Sequence, residues 1–411
     1  MDGEALADGK DWTVNTDGLD HDVLDVTTIQ NFAADLLGQE TATISDLASY
    51  LRAQADGAFD DEIDAEVIAA FFQAGFGIAS DVRTEAADIR FIPNAIGDGI
   101  RWDNKLNWST EDIPGVQDGD SVDLAGNWVN YMGTTTLDNF DFGSGGELRV
   151  NQGKLTIEGD TTTGENGGTF EIDDAGQVWM NGYSDDDTLN VNVDGGRFAN
   201  TGDLDGSVQI IVTDGDAILA TSGASATFAD DSSLHIVGDA ASVGFDGTDG
   251  ETAILRVGEG GSLRFEADDS GAVGSIEEFT SGAFGDESDV QSGVNLQDGT
   301  LQIILNENTE VGTQVLISAD ELVGTFDHIQ IAGLSDTQDA FFTVDYETDE
   351  VFMTIVADGT GDAFYETQGD GDNAMDAAAL WAALTDGMGS FDDTPPEIDV
   401  YDDEAALFAA Y

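Results

Sequence analysis

Across residues 145–274, short apolar–polar–apolar triplets alternate with turns rich in Gly, Asp and Asn at an interval of about 20 residues. Leu148-Arg149-Val150, Phe170-Glu171-Ile172, Leu189-Asn190-Val191 and Val208-Gln209-Ile210 each open such a unit, and a second pair such as Leu155/Ile157 or Val178/Met180 follows. A period of two sends one row of side chains inward and the next outward. One turn of chain cannot bury its apolar row alone, so successive turns must stack. The pattern predicts a mainly β fold, a single-stranded parallel β-helix (solenoid) spanning residues 89–356.

The same alternation continues through Leu234/Ile236, Val243/Phe245, Leu255/Val257 and Leu263/Phe265. It lapses over residues 270–292, where a loop or lateral excursion is expected, and returns at residues 294–305 and 314–318. A helical period precedes the β pattern. Ile29, Phe32, Ala33, Leu36 and Leu37 fall on one face before Gly38, Ser45 stands ahead of Leu47, Tyr50 and Leu51, and Ile63, Val67, Ile68, Phe71 and Phe72 end at Gly75 and Gly77. Three amphipathic helices are therefore expected in residues 27–88, as a cap or docking domain behind an extended acidic arm at residues 1–26. Beyond the β pattern, residues 357–411 read as a linker and a short helical tail, with an Ala-rich helix expected over residues 373–384.

Where the β pattern begins, the chain reads Arg101-Trp102-Asp103-Asn104-Lys105-Leu106-Asn107-Trp108-Ser109, then Ile113-Pro114-Gly115, then Gly119-Asp120-Ser121-Val122-Asp123-Leu124. Trp102, Trp108 and Trp128 are large enough to plug the exposed end of a first coil. This stretch resembles the opening of bacterial autotransporter-type and haemagglutinin-like β-helices. Val315-Leu316-Ile317-Ser318, Leu322-Val323-Gly324-Thr325-Phe326, Phe342-Thr343-Val344-Asp345-Tyr346 and Val351-Phe352-Met353-Thr354-Ile355-Val356 resemble the closing coils of autotransporter-type passengers. The two resemblances bracket residues 100–356 and imply architecture, not activity. No twelve-stranded membrane barrel follows, so autotransport itself is not implied.

Charge changes the picture most. Eighty-five Asp and Glu against 11 Lys and Arg leave a net charge of −74, and Lys10, Lys105 and Lys154 are the only lysines. Such a chain repels itself unless salt or bound cations screen it, which points to a saline or calcium-rich medium. Phosphate-directed nucleic-acid binding is excluded as a function class, because no basic patch can be assembled. Cysteine is absent, so there is neither a disulfide framework nor a thiolate metal site. Met1-Asp2-Gly3-Glu4-Ala5 has no basic n-region, and no run approaches the roughly 18 apolar residues of a membrane span. Neither a Sec-type signal peptide nor a span is expected, and an acidic C-terminus would suit type I secretion.

With so many acids the sequence nominates no glycosidase pair. His21, His235 and His328 form no zinc motif, and neither a nucleophile elbow nor a phosphate loop is present. The solenoid arginines Arg149, Arg197, Arg256 and Arg264 fall on outward positions, where nearby carboxylates would pair with them, and His235 is placed facing solvent. Calcium is the credible ion, with oxygen ligands offered by Asp185, Asp186 and Asp187, by Asp246 and Asp249, and by Asp370 and Asp372. The expected function is structural and adhesive: a fibre or spike domain on a virion or cell surface, binding surface glycans or a partner subunit. A homotrimer would suit a spike. The rival expectations are a polysaccharide lyase or glycoside hydrolase on the same scaffold, and a type I secreted, calcium-stabilised surface protein.

Overall fold

The computed structural model describes residues 86–92, 99–110, 113–117, 119–221, 223–246, 252–278, 291–296, 299–357, 361–368, 396–401 and 407. The chain divides into two units, residues 1–85 with 94–97, and the remainder. The arm and almost all of the expected helical cap lie outside the described residues, as does the expected helix at 373–384. Asp88, assigned to that cap by the helical period, instead begins a strand. Among the described residues no helix is long and apolar enough to cross a membrane.

The described unit is mainly β, in large parallel and mixed sheets of solenoid-like form. Its opening strands are β1 (Asp88–Arg90), β2 (Ser121–Asp123), β3 (Trp128–Leu137), β4 (Phe140–Asp141), β5 (Gly146–Ile157), β6 (Thr161–Thr162), β7 (Gly168–Met180), β8 (Leu189–Asn200) and β9 (Val208–Thr221). The middle strands are β10 (Ser225–Phe228), β11 (Ser233–Val237), β12 (Ala241–Asp246), β13 (Thr252–Val257), β14 (Ser262–Glu266), β15 (Ser275–Glu278) and β16 (Gln291–Asn295). The last are β17 (Thr300–Ile304), β18 (Gly312–Ser318), β19 (Glu321–Val323), β20 (His328–Ala332), β21 (Gln338–Asp345), β22 (Glu350–Ala357), β23 (Ala363–Gln368) and β24 (Glu397–Tyr401).

Each turn of chain contributes to three ladders. The first half of β3 pairs in parallel with the first half of β5, and β7, β8 and β9 follow in the same way, then β11, β14, β17, β20 and β24. The second halves of the long strands form a second ladder that continues through β12, β15 and β18. The third ladder holds β1, β2, β4 and β6, single bridges at Tyr183, Leu204 and Ala226, and then β10, β13, β16 and β19.

The inward row of the first ladder shows why these residues stack. Val129, Leu148, Phe170, Val191, Ile210, Leu234, Leu263, Leu301, Ile329 and Ile398 stand in register one above the next. All but Ile398 are buried, each making the dispersion contacts its neighbour lacks. At about 4.8 Å between strands, every added coil covers the row beneath it. The register step is 22 residues from Leu148 to Phe170 and reaches 69 from Ile329 to Ile398. The near-regular spacing thus holds only in the central coils.

Long strands serve two faces because they bend midway. The β3–β5 register shifts between Tyr131 and Met132, and Gly153 at φ +84° stands at that bend, where a Cβ would lie 1.7 Å from the Gly133 carbonyl oxygen. Asn200, fully buried, ties three successive turns: its Oδ1 accepts from Gly182 N at 3.0 Å, and its Nδ2 donates to the carbonyls of Gly202 and Leu219 at 2.6 and 3.1 Å.

Three expectations are corrected. The lapse at 270–292 contains β15 and β16, so coils continue there; single apolar residues such as Ile276 among Ser and Gly left no alternation to read. The closing run is not purely parallel, since β18 and β22 pair antiparallel, as do β22 and β21. The short turn at residues 346–349 makes that hairpin direct, and Asp349 takes the required left-handed conformation at φ +55°. Finally, β23 and β24 fall in the stretch read as linker and tail, and β24 extends the first ladder. Leu407 packs with Ile304 and Ala332 on the outward side of that ladder.

Candidate contact surface

At the start of the described unit, Trp102 and Trp108 are each only 2% exposed and meet edge to face at 4.9 Å. Phe91 packs on Trp108 and Tyr131 on Trp102 in the same manner, at 5.1 and 5.0 Å. Trp108 Nε1 donates to the Trp102 carbonyl at 2.8 Å, and the Asn107 amide joins Gly99 N to the Arg101 carbonyl. Trp128 does not join them. It starts β3 on the outward row, 37% exposed, because the alternation turns Val129 and Tyr131 inward.

The outward rows carry the polar chemistry. Arg149 Nε donates to Asp173 Oδ2 at 2.7 Å, and Arg197 Nε to Asp216 Oδ2 at 2.9 Å, in each case linking one coil to the next. Arg90 pairs with Asp123 at 3.3 Å across β1 and β2. Lys154 instead places Nζ 3.7 Å above the Trp179 ring, a cation–π contact between β5 and β7, and burial lowers its pKa from the ordinary lysine value. His235, on the outward row of β11, is largely covered and meets the Glu266 carboxylate at 2.9 Å, which Arg264 also reaches at 2.8 Å. The His235 hydrogen bond first, and then Arg264, hold Glu266 below the usual carboxylate range against the opposing effect of burial.

The Asp185-Asp186-Asp187 turn is anchored from inside. Tyr183 donates its hydroxyl to the Asp187 carbonyl and shares a hydrogen bond with Thr163 Oγ1 at 2.6 Å, while burial pushes the phenol up to about 12, so it stays protonated. The Asp185 carboxylate accepts from Thr163 N at 3.3 Å and from Asp186 N at 2.9 Å. Of Asp246 only the strand position in β12 is described, and Asp249, Asp370 and Asp372 lie outside the described residues. Among the described residues no three His, Asp or Glu side chains converge to hold a metal ion.

The sequence placed the four arginines on outward positions, but only the register shows which carboxylate each one meets. Lys154 over Trp179, and His235 beside Glu266, become neighbours through steps of 23 and 29 residues between paired strands, and those steps are not constant along the chain. Compared with family models, curated proteins and solved structures, the chain matches none.

Proposed function

We propose that the chain is a structural and adhesive shaft, a parallel β-helix displayed on a virion or cell surface that binds surface glycans or a partner subunit along its anionic flank. The observation carrying this reading is how the cations are used. Arg149, Arg197 and Arg264 are each held by a carboxylate of the same or the next coil, so they act as ties between coils. Length in such a stack scales with coil number, and the flank repeats the same contact surface at every coil. The calcium and saline setting inferred from composition belongs to the same proposal, as does an extracellular location.

A second reading is favoured by one specific observation. His235, Arg264 and Glu266 converge on the outward face of β11 and β14, which brings together groups able to carry a proton and groups able to bind an acidic sugar. A polysaccharide lyase or hydrolase would use such a cluster. The deciding experiment incubates the purified chain with acidic polysaccharides, with and without calcium. The shaft reading expects retention on immobilised glycans or on a partner subunit and no depolymerisation. Release of unsaturated or reducing ends, abolished by His235→Ala, would replace it with the enzyme reading.

A further inference from the structure

Arg256 departs from the pattern of neutralised arginines. It lies on the outward row of β13, in register with Thr227 of β10 on one side and Asn295 of β16 on the other. Its Nε is buried without a hydrogen-bond partner, and no carboxylate among the described residues forms an ion pair with it. A buried guanidinium N–H left unpaired is costly and uncommon in a folded protein. In a chain with 85 acidic residues, a carboxylate partner would be the default.

A separate observation concerns the strands around it. β10, β13 and β16 read Ser-Ala-Thr-Phe, Thr-Ala-Ile-Leu-Arg-Val and Gln-Ser-Gly-Val-Asn, without a single Asp or Glu. Their polar groups are hydroxyls and amides, from Ser225, Thr227, Thr252, Ser292 and Asn295. The acids that reach this patch are already engaged: Asp203 accepts from Ser225 Oγ, Asp205 from Thr227 Oγ1 at 2.9 Å, and Asp320 from Ser292 N at 3.2 Å. Here an otherwise strongly anionic flank offers one unspent guanidinium in an uncharged, hydroxyl-rich setting.

We propose that Arg256 binds the oxyanion of an acidic polysaccharide, a uronate carboxylate or a sulfate ester, with Thr227 and Asn295 bordering the bound sugar. This rests on the glycan-contact reading above and deepens it by naming the ligand class. A guanidinium suits both oxyanions because its planar fork donates two parallel N–H bonds to them. In a screened, saline medium the net charge of the chain does not keep such a ligand away.

The test is calorimetric titration of the full chain, in high salt, with an oligogalacturonate, a sulfated oligosaccharide and a neutral oligosaccharide of equal length. The proposal expects binding of at least one acidic ligand, loss of tenfold or more in affinity for Arg256→Gln, and a smaller loss for Arg256→Lys. The two acidic arms distinguish carboxylate from sulfate. Unchanged affinity in Arg256→Gln overturns the proposal. Binding of the neutral ligand alone overturns it while leaving the glycan-contact reading in place. Equal binding of poly-glutamate would reassign the patch to a protein partner and overturn the glycan assignment. Should Arg256→Gln unfold the chain, Arg256→Lys decides: weaker binding in a folded variant supports the site, and wild-type binding sinks it.

Discussion

His235 and Glu266 meet at 2.9 Å from strands 29 residues apart in register, and Arg264 reaches the same carboxylate oxygen at 2.8 Å. Two cation-capable groups from adjacent coils thus share one acid on the outer face of the first ladder. The acid is the keystone of the trio.

Because Glu266 is held below its unfolded range, its contribution is fully present above the unfolded carboxylate value of about 4.3 and is lost as pH falls through the folded value. Glu266→Gln should therefore lower stability by about 1 kcal/mol at neutral pH. The difference should vanish in acid. Thermal melts of both proteins over pH 2–7 check this, and a constant gap at all pH values would contradict it.

Asp349 has the opposite sign. Burial first, and then Asp320 and Asp345, raise its pKa, while Leu322 N donates to its Oδ1 at 3.0 Å. Its contribution is most favourable below the unfolded value and is lost as pH rises through the folded one. Asp349→Asn keeps a side chain that tolerates a positive φ and removes the charge, so its melting temperature should exceed that of the wild type at pH 7 and match it near pH 3. A lower melting temperature at pH 7 would refute this.

The inward stack sets the largest mechanical stake. Leu234→Ala, in the middle of the first ladder with neighbours above and below, should cost about 2–5 kcal/mol. Ile211→Ala, one row outward and 37% exposed, should stay within about 0.5 kcal/mol. Chemical denaturation of both variants separates the rows, and equal effects would mean the assignment of faces is wrong.

Net charge should govern stability in solution. The melting temperature is expected to rise with sodium chloride through screening. Calcium chloride at equal ionic strength should raise it further if Asp185, Asp186 and Asp187 hold the ion, and Asp185→Ala with Asp187→Ala should then erase the excess. Identical curves for the two salts would remove calcium from the proposal and leave screening alone.

Gly153→Ala should destabilise the chain by more than the ordinary cost of a surface substitution. Its φ is +84° and the new Cβ would meet the Gly133 carbonyl, so strain and collision act together. A melt indistinguishable from the wild type would show that the bend can relax.

Much of the fold was legible in the residues. Leu148, Phe170 and Val191 announce an inward row because a period of two has only one physical reading once a face must be buried, and all three lie in register. The contact surface was less legible. Arg149 and Arg256 look alike in the sequence, each between apolar strand residues, yet one finds Asp173 and the other finds Thr227 and Asn295. Which residue stands opposite depends on the length of every intervening turn, and those lengths drift along the chain. Trp128 likewise resembled Trp102 in kind, but its strand parity puts it outside.

Local alternation, turn glycines and charge balance by themselves determined that this chain builds stacked β coils with an anionic exterior, since each is a property of a few consecutive residues. Only the tertiary structure decided the reversal at β18, β22 and β21, the late strands β23 and β24, and the pairing of outward cations. Those features are contacts between residues separated by 20 or more positions, and their free energy exists only once the coils are aligned.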